Sequence, residues 1–126
     1  YTEFRPNNRD GYKFKKSYPY PTGENTLGLN CLNDCNFNYP SKYSKFLLRG
    51  YGHVSTFSTK KGINGLYDMG GNVWEWVDIN DNSYKGTKGG SWWYGKNQMI
   101  QGYNATKPKN MSAVYIGFRC VKDFKN

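Results

Sequence analysis

No stretch of this chain approaches the roughly 20 consecutive apolar residues that a membrane-spanning helix needs, so no span is expected. Histidine occurs once, as His53, and cysteine three times, as Cys31, Cys35 and Cys120. A tetrahedral zinc site draws on four such ligands, and Cys31 and Cys35 have no second cysteine pair to complete one. Structural zinc is therefore not expected, although the spacing by itself allows either a small disulfide loop or two metal ligands. No cysteine, serine or carboxylate is placed locally to form a catalytic triad with His53. Internal repeats, heptads, a phosphate-binding glycine loop and a His-Glu-x-x-His pattern are all missing, which removes solenoids, coiled coils, P-loop nucleotidases and zincin-type proteases. Acidic residues are scarce, nine against eighteen basic ones, giving a net charge of +9. The basic residues are scattered, without the dense runs or interleaved arginines of a nucleic-acid surface, and specific nucleic-acid binding is not expected.

What the chain has in quantity is aromatic side chains and glycine. Aromatics make up 18% of residues, twelve of them tyrosine and four tryptophan, with 15 glycines and a mean hydropathy of −0.90. That mixture predicts a turn-rich fold with a core of large aromatics rather than aliphatic helices. A length of 126 residues is enough for one domain and too short for two of ordinary size. Because Tyr1 reads as already inside a domain, residues 1–126 are expected to be the carboxy-terminal part of a single domain, monomeric, with a lean toward an extracytoplasmic setting.

Gly65 to Val77 concentrates two tryptophans, two carboxylates and three glycines in thirteen residues. A turn-prone run from Asp68 to Asn72 gives way to a strand-like alternation, with Trp74 and Trp76 on one face and Val73, Glu75 and Val77 on the other. A carboxylate between two valines needs a cation, a metal or several donors, because burying an isolated anion is costly. Asp68, across the Gly70-Gly71 turn, can converge with Glu75 and the intervening carbonyls on one point, a hard-oxygen site of the kind calcium prefers. The alternative is that Asp68 caps a turn and Glu75 pairs with a lysine. Asp68, Glu75, Asp78 and Asp81 place four of the nine acids within fourteen residues, a local field that favours a cation.

Elsewhere, residues 1–26 read as an extended segment, with a short edge strand near Tyr12-Lys13-Phe14-Lys15 and, further on, an apolar patch at Phe46-Leu47-Leu48. A strand is expected around His53 to Phe57 and a solvated loop from Asp78 to Gly86. Another strand should begin at the close approach that Gly89 and Gly90 permit. Residues 94–113 look irregular, and Val114 to Val121 closes the domain with Ile116, Phe118 and Cys120 facing inward. Trp74, Trp76, Trp92, Ile116 and Phe118 are expected to share one core.

Three blocks in order, Gly65-Leu-Tyr-Asp-Met-Gly-Gly-Asn-Val-Trp-Glu-Trp76, Lys88-Gly-Gly-Ser-Trp-Trp93 and Tyr115-Ile-Gly-Phe-Arg-Cys120, resemble the signature of the formylglycine-generating, or sulfatase-modifying, enzyme family. The likeness is close from about residue 50 to 123 and looser around Tyr18 to Gly23 and Asn30. It implies an α+β, C-type-lectin-like fold with little regular secondary structure and short antiparallel strands. It also implies calcium. Asp68, Gly71, Val73 and Glu75 match the family's second calcium site, while Asn30 stands near the start of the first, where the following spacing differs. Family enzymes oxidise a substrate cysteine with two copper-binding cysteines. Counted forward from Gly89, those positions are Met99 and Asn104, so copper and thiol oxidation are not expected, since copper(I) needs soft thiolates. Related ligand-binding proteins vary between the second and third blocks. The expected groove for a peptide or protein ligand is accordingly Trp74, Ser91, Trp93, Tyr94, Lys96, Gln98 and Tyr103. Two functions stand side by side, a sulfatase-modifying type of domain without its thiol chemistry and a non-catalytic lectin-like binding module.

Overall fold

Glycine and asparagine interrupt every apolar alternation in this chain within a few residues, and the strands are correspondingly short. The computed structural model describes residues 16–37, 49–79, 81 and 83–122. Among them are four strands, β1 (Trp74–Val77), β2 (Tyr84–Lys88), β3 (Ala105–Pro108) and β4 (Ile116–Gly117), and a single 3-10 turn at Lys96–Gln98. They form one sheet in the order β3-β2-β1-β4. The β1–β2 and β2–β3 pairs are antiparallel, but β4 runs parallel to β1, with Trp74 opposite Ile116 and Glu75 opposite Gly117. The sheet is therefore mixed, where short antiparallel strands were expected. Such an architecture fits α+β or mostly β. The expected edge strand near Tyr12 and the apolar patch at Phe46 lie outside the described residues.

Asn72 ties the centre together. It sits in the left-handed region at φ 62°, which asparagine tolerates better than most residues. Its amide N–H donates to the Asn30 carbonyl at 2.7 Å, and its own carbonyl accepts from Trp92 N–H at 2.8 Å. Its side chain accepts from Val54 N–H at 2.9 Å and donates to the Val54 carbonyl at 3.2 Å. This explains a correction. Residues 53–57 form no strand, because an asparagine side chain supplies Val54 with the two bonds a neighbouring strand would have given. Asn30 joins in, donating from Nδ2 to Gly52 O and Asn72 Oδ1. Gly71 presses on the same residue so closely, at φ 73°, that a Cβ there would meet Asn30 O at 2.5 Å.

Further expectations are corrected. The segment 78–86 is only partly a loop: Asp81 Oδ1 accepts from the N–H groups of Ser83 and Tyr84, both at 2.8 Å, and that turn launches β2. Gly89 to Trp93 makes the expected close approach, with a Gly89 Cβ only 2.7 Å from Met69 O, yet it is a turn. Both glycines have positive φ, 93° and 70°, which is incompatible with an extended strand. The closing strand shrinks to Ile116–Gly117. Trp74 and Trp92 are buried as expected, whereas Trp76 and Ile116 are half-buried and Phe118 is 75% exposed, outside the core. Cys120 likewise is exposed and free rather than inward-facing. Once β4 ends, Arg119 turns toward Glu75 and the residues on either side of it face solvent.

Away from the sheet, Cys31 and Cys35 close a disulfide that packs with Leu29, Met99 and the partly buried Tyr20. This resolves the choice left open by their spacing. The early segment contributes Tyr18, buried against Ile63.

Candidate functional site

Alternation along β1 points Trp74 and Glu75 to opposite faces of the sheet, and each face carries a cluster. On the Glu75 face, Arg119 holds the carboxylate. Nε donates to both oxygens at 2.9 Å, and Nη2 donates to Oε1 at 2.6 Å and to the Tyr67 carbonyl at 2.8 Å. The glutamate between valines thus has the cation its setting demands, an arginine from the third block. Asp68 is buried at φ 61°, and its Oδ1 accepts from Thr59 Oγ1 at 2.6 Å. Both carboxylates line one pocket of about 340 Å³ with Asn72, Val73 and Arg119, rimmed by Phe57, Leu66 and Phe118.

The chemistry of this donor set suits a hard cation. Among the described residues no hydrogen bond ends on the Gly71 or Val73 carbonyl. A carboxylate offers about four acceptor positions, and Arg119 makes three contacts with Glu75. Among the described residues no group of three or more His, Cys, Asp or Glu side chains gathers at one point, so any ion would depend on backbone carbonyls.

On the other face, Trp74 is 1% exposed and encircled by rings. Tyr94 packs edge-on at 5.3 Å and Tyr103 lies tilted at 6.3 Å. Tyr115 joins Tyr94 and Trp93, each at 5.7 Å between centroids, and Trp93 packs on Trp92 at 5.1 Å. Aromatic pairs in these geometries contribute about 0.5–1.5 kcal/mol each beyond their buried area. Two cations flank the rings: Lys107 Nζ lies 4.6 Å over Trp74, and the Arg49 guanidinium 5.9 Å over Trp93. Burial holds Lys107 below the ordinary lysine value. Burial, and then the neighbouring Tyr115, raises the Tyr94 hydroxyl above the ordinary tyrosine value. Trp74 Nε1 and Thr87 Oγ1 are buried with no hydrogen-bond partner among the described residues, a loss of about 1–3 kcal/mol each unless water or another group supplies one.

Of the seven expected groove residues, the structure brings Trp74, Trp93, Tyr94 and Tyr103 into this ring cluster. Ser91 is buried beneath it, its Oγ accepting from Trp93 N–H at 3.2 Å, so it shapes the turn. Lys96 and Gln98 sit in the 3-10 turn, where Lys96 N–H donates to Asp34 Oδ2 at 3.0 Å. No ring contact among the described residues joins them to the cluster. Sequence reasoning missed Tyr115, Lys107 and Arg49. Tyr115 opens the third block and was within reach; Lys107, in Ala-Thr-Lys-Pro, carries no local signal. Met99 and Asn104 part company, Met99 buried beside the Cys31–Cys35 disulfide and Asn104 exposed.

A mixed four-stranded sheet with long loops and a ring cluster on one face defines a small domain with little regular structure. The family model of the sulfatase-modifying factor enzyme 1-like domain matches residues 3–124, and the chain belongs to that family. No curated protein matches it.

Proposed function

We propose that this chain is a ligand-binding member of the sulfatase-modifying factor family, with a C-type-lectin-like fold, that receives a peptide on the ring cluster around Trp74 and does not oxidise thiols. The observation that carries this reading is the state of the three cysteines: Cys31 and Cys35 are spent on each other and Cys120 stands alone and exposed. A copper(I) site needs a pair of soft ligands facing one substrate, and the residues of this chain offer no such pair. The ring cluster, by contrast, has the character of a binding surface. Trp93, Tyr94 and Tyr115 are half-buried and Tyr103 is 38% exposed, and rigid aromatics of this kind make good anchors.

On the opposite face, the proposal includes calcium held by the side chains of Asp68 and Glu75 with the carbonyls of Gly71 and Val73. The ion would fix the turn that leads into β1. A disulfide in so short a loop is at home in an oxidising, extracytoplasmic setting. Incubating the protein with copper, oxygen, a reductant and a Cys-x-Pro-x-Arg peptide is expected to leave the peptide mass unchanged. An aldehyde-bearing product would refute the reading.

A further inference from the structure

Among the described residues, Lys107 and Arg49 on the ring face have no carboxylate partner. The ion pairs among the described residues are Lys16–Glu24, Lys85–Asp78 and Arg119–Glu75, so no carboxylate pairs with Lys107 or Arg49. Lys107 stands directly opposite Lys85 across the β2–β3 ladder. Like charges at such positions are destabilising. The relief that Lys85 finds is slight, since its partner Asp78 lies 3.1 Å away with a side chain 93% exposed. Lys85 also lines a pocket of about 360 Å³ with Trp76 and Lys109. Lys107, Lys85 and Lys109 thus carry positive charge from the Trp74 rings toward Trp76 on a protein of net charge +9.

We propose that this face binds an acidic peptide, whose Asp or Glu side chains pair with Lys107 and Lys85 while its remaining surface lies on Trp93, Tyr94 and Tyr103. The inference rests on the reading of the ring cluster as the ligand site and adds the chemical class of the ligand. Charge complementarity selects the occupant. An incoming carboxylate supplies the acceptor that Lys107 lacks among the described residues and relieves its repulsion with Lys85, and it meets a partly desolvated ammonium, where pairing is stronger than in bulk water. A nucleic acid is also anionic, but it needs free ring faces on which bases can stack. Here the rings are packed against one another, Tyr94 edge-on to Trp74 at 71° and to Tyr115 at 83°, and Trp74 is buried. That arrangement suits a peptide lying across ring edges.

Fluorescence anisotropy of the whole chain with labelled peptides tests this, using a Glu-Tyr-Gly repeat, its Gln-Tyr-Gly counterpart and a labelled oligo-dT. The Glu peptide is expected to bind at least about tenfold more tightly than the Gln peptide at about 50 mM salt, with most of that margin gone at about 500 mM. Lys107→Gln should remove most of the preference and Lys107→Arg should keep it. Lys85→Gln, at a position that already has Asp78 as a partner, should reduce it, with unchanged melting curves showing that each variant is folded. Equal binding of the two peptides, a preference that survives Lys107→Gln, or tighter binding of oligo-dT would overturn the proposal. Tyr94→Ala separates the two levels. Equal peptide affinities that both collapse in Tyr94→Ala would leave the ring cluster as the ligand site and discard only the acidic preference. No binding of either peptide to the unaltered chain, or equal affinities unchanged by Tyr94→Ala, would discard both.

Discussion

Glu75 is held by Arg119 from the third block and lies between two valines. Arg119 makes three contacts with its carboxylate, which lines the same pocket as Asp68. Replacing Arg119 by alanine strands a half-buried carboxylate and is expected to cost about 1–3 kcal/mol in chemical denaturation. The same change frees acceptor positions for an ion. Excess calcium should therefore raise the melting temperature of the unaltered chain by mass action, and raise that of Arg119→Ala by more. Melting curves of both proteins that ignore calcium and chelator alike would remove the ion from the account. The two aromatic residues once expected to share a core divide just as clearly. Trp74→Ala, at 1% exposure, should cost about 3–5 kcal/mol. Phe118→Ala, at 75% exposure, should stay within about 0.5 kcal/mol. Equal losses from the two would mean that the carboxy-terminal segment packs differently.

At the scale of elements, the turn before β2 depends on one side chain. The backbone N–H groups of Tyr84 and Ser83 donate to Asp81 and hold its carboxyl below the ordinary aspartate value. A depressed folded-state value adds stability that is present above the unfolded value, about 3.9, and is lost as pH falls through the folded one. Amide exchange at Ser83 and Tyr84 should accordingly quicken on acidification below that range, and Asp81→Asn should lose this pH response. Exchange that is indifferent to pH after correction for its intrinsic rate would show that the turn stands without the carboxylate. This turn was not legible beforehand, because Tyr84 to Lys88 has no apolar alternation to announce a strand. The strand at 74–77 was legible, since Trp and Val alternate there, and so was the need of Glu75 for a cation. Long-range substitutions of side chain for backbone left no trace in local pattern. Asn72 standing in for a strand beside Val54 is one, and Asp34 accepting from Lys96 N–H is another. For the ring cluster, Trp74, Trp93, Tyr94 and Tyr103 could be read from the blocks and their spacing, whereas Lys107 depends on a register that no sequence pattern showed.

For the molecule as a whole, the two faces of β1 carry different chemistry, an ion pair on one and a cluster of rings on the other. On the Glu75 face Arg119 holds the carboxylate beside a pocket that Asp68 also lines, while the Trp74 face presents half-buried rings with Lys107 and Arg49, which have no carboxylate partner among the described residues. A disulfide, an asparagine-centred network and a short mixed sheet support both, on a scaffold whose family is that of the sulfatase-modifying factor domains. The role proposed for the ring cluster is to bind peptides. Selection from a random peptide display library on the immobilised chain, repeated on Trp93→Ala and Tyr94→Ala variants that still melt cooperatively above the selection temperature, is the measurement that checks this. The account predicts a family of related peptides that is enriched on the unaltered chain and lost from both variants. Enrichment that persists on both variants, or no enrichment at all, would contradict it.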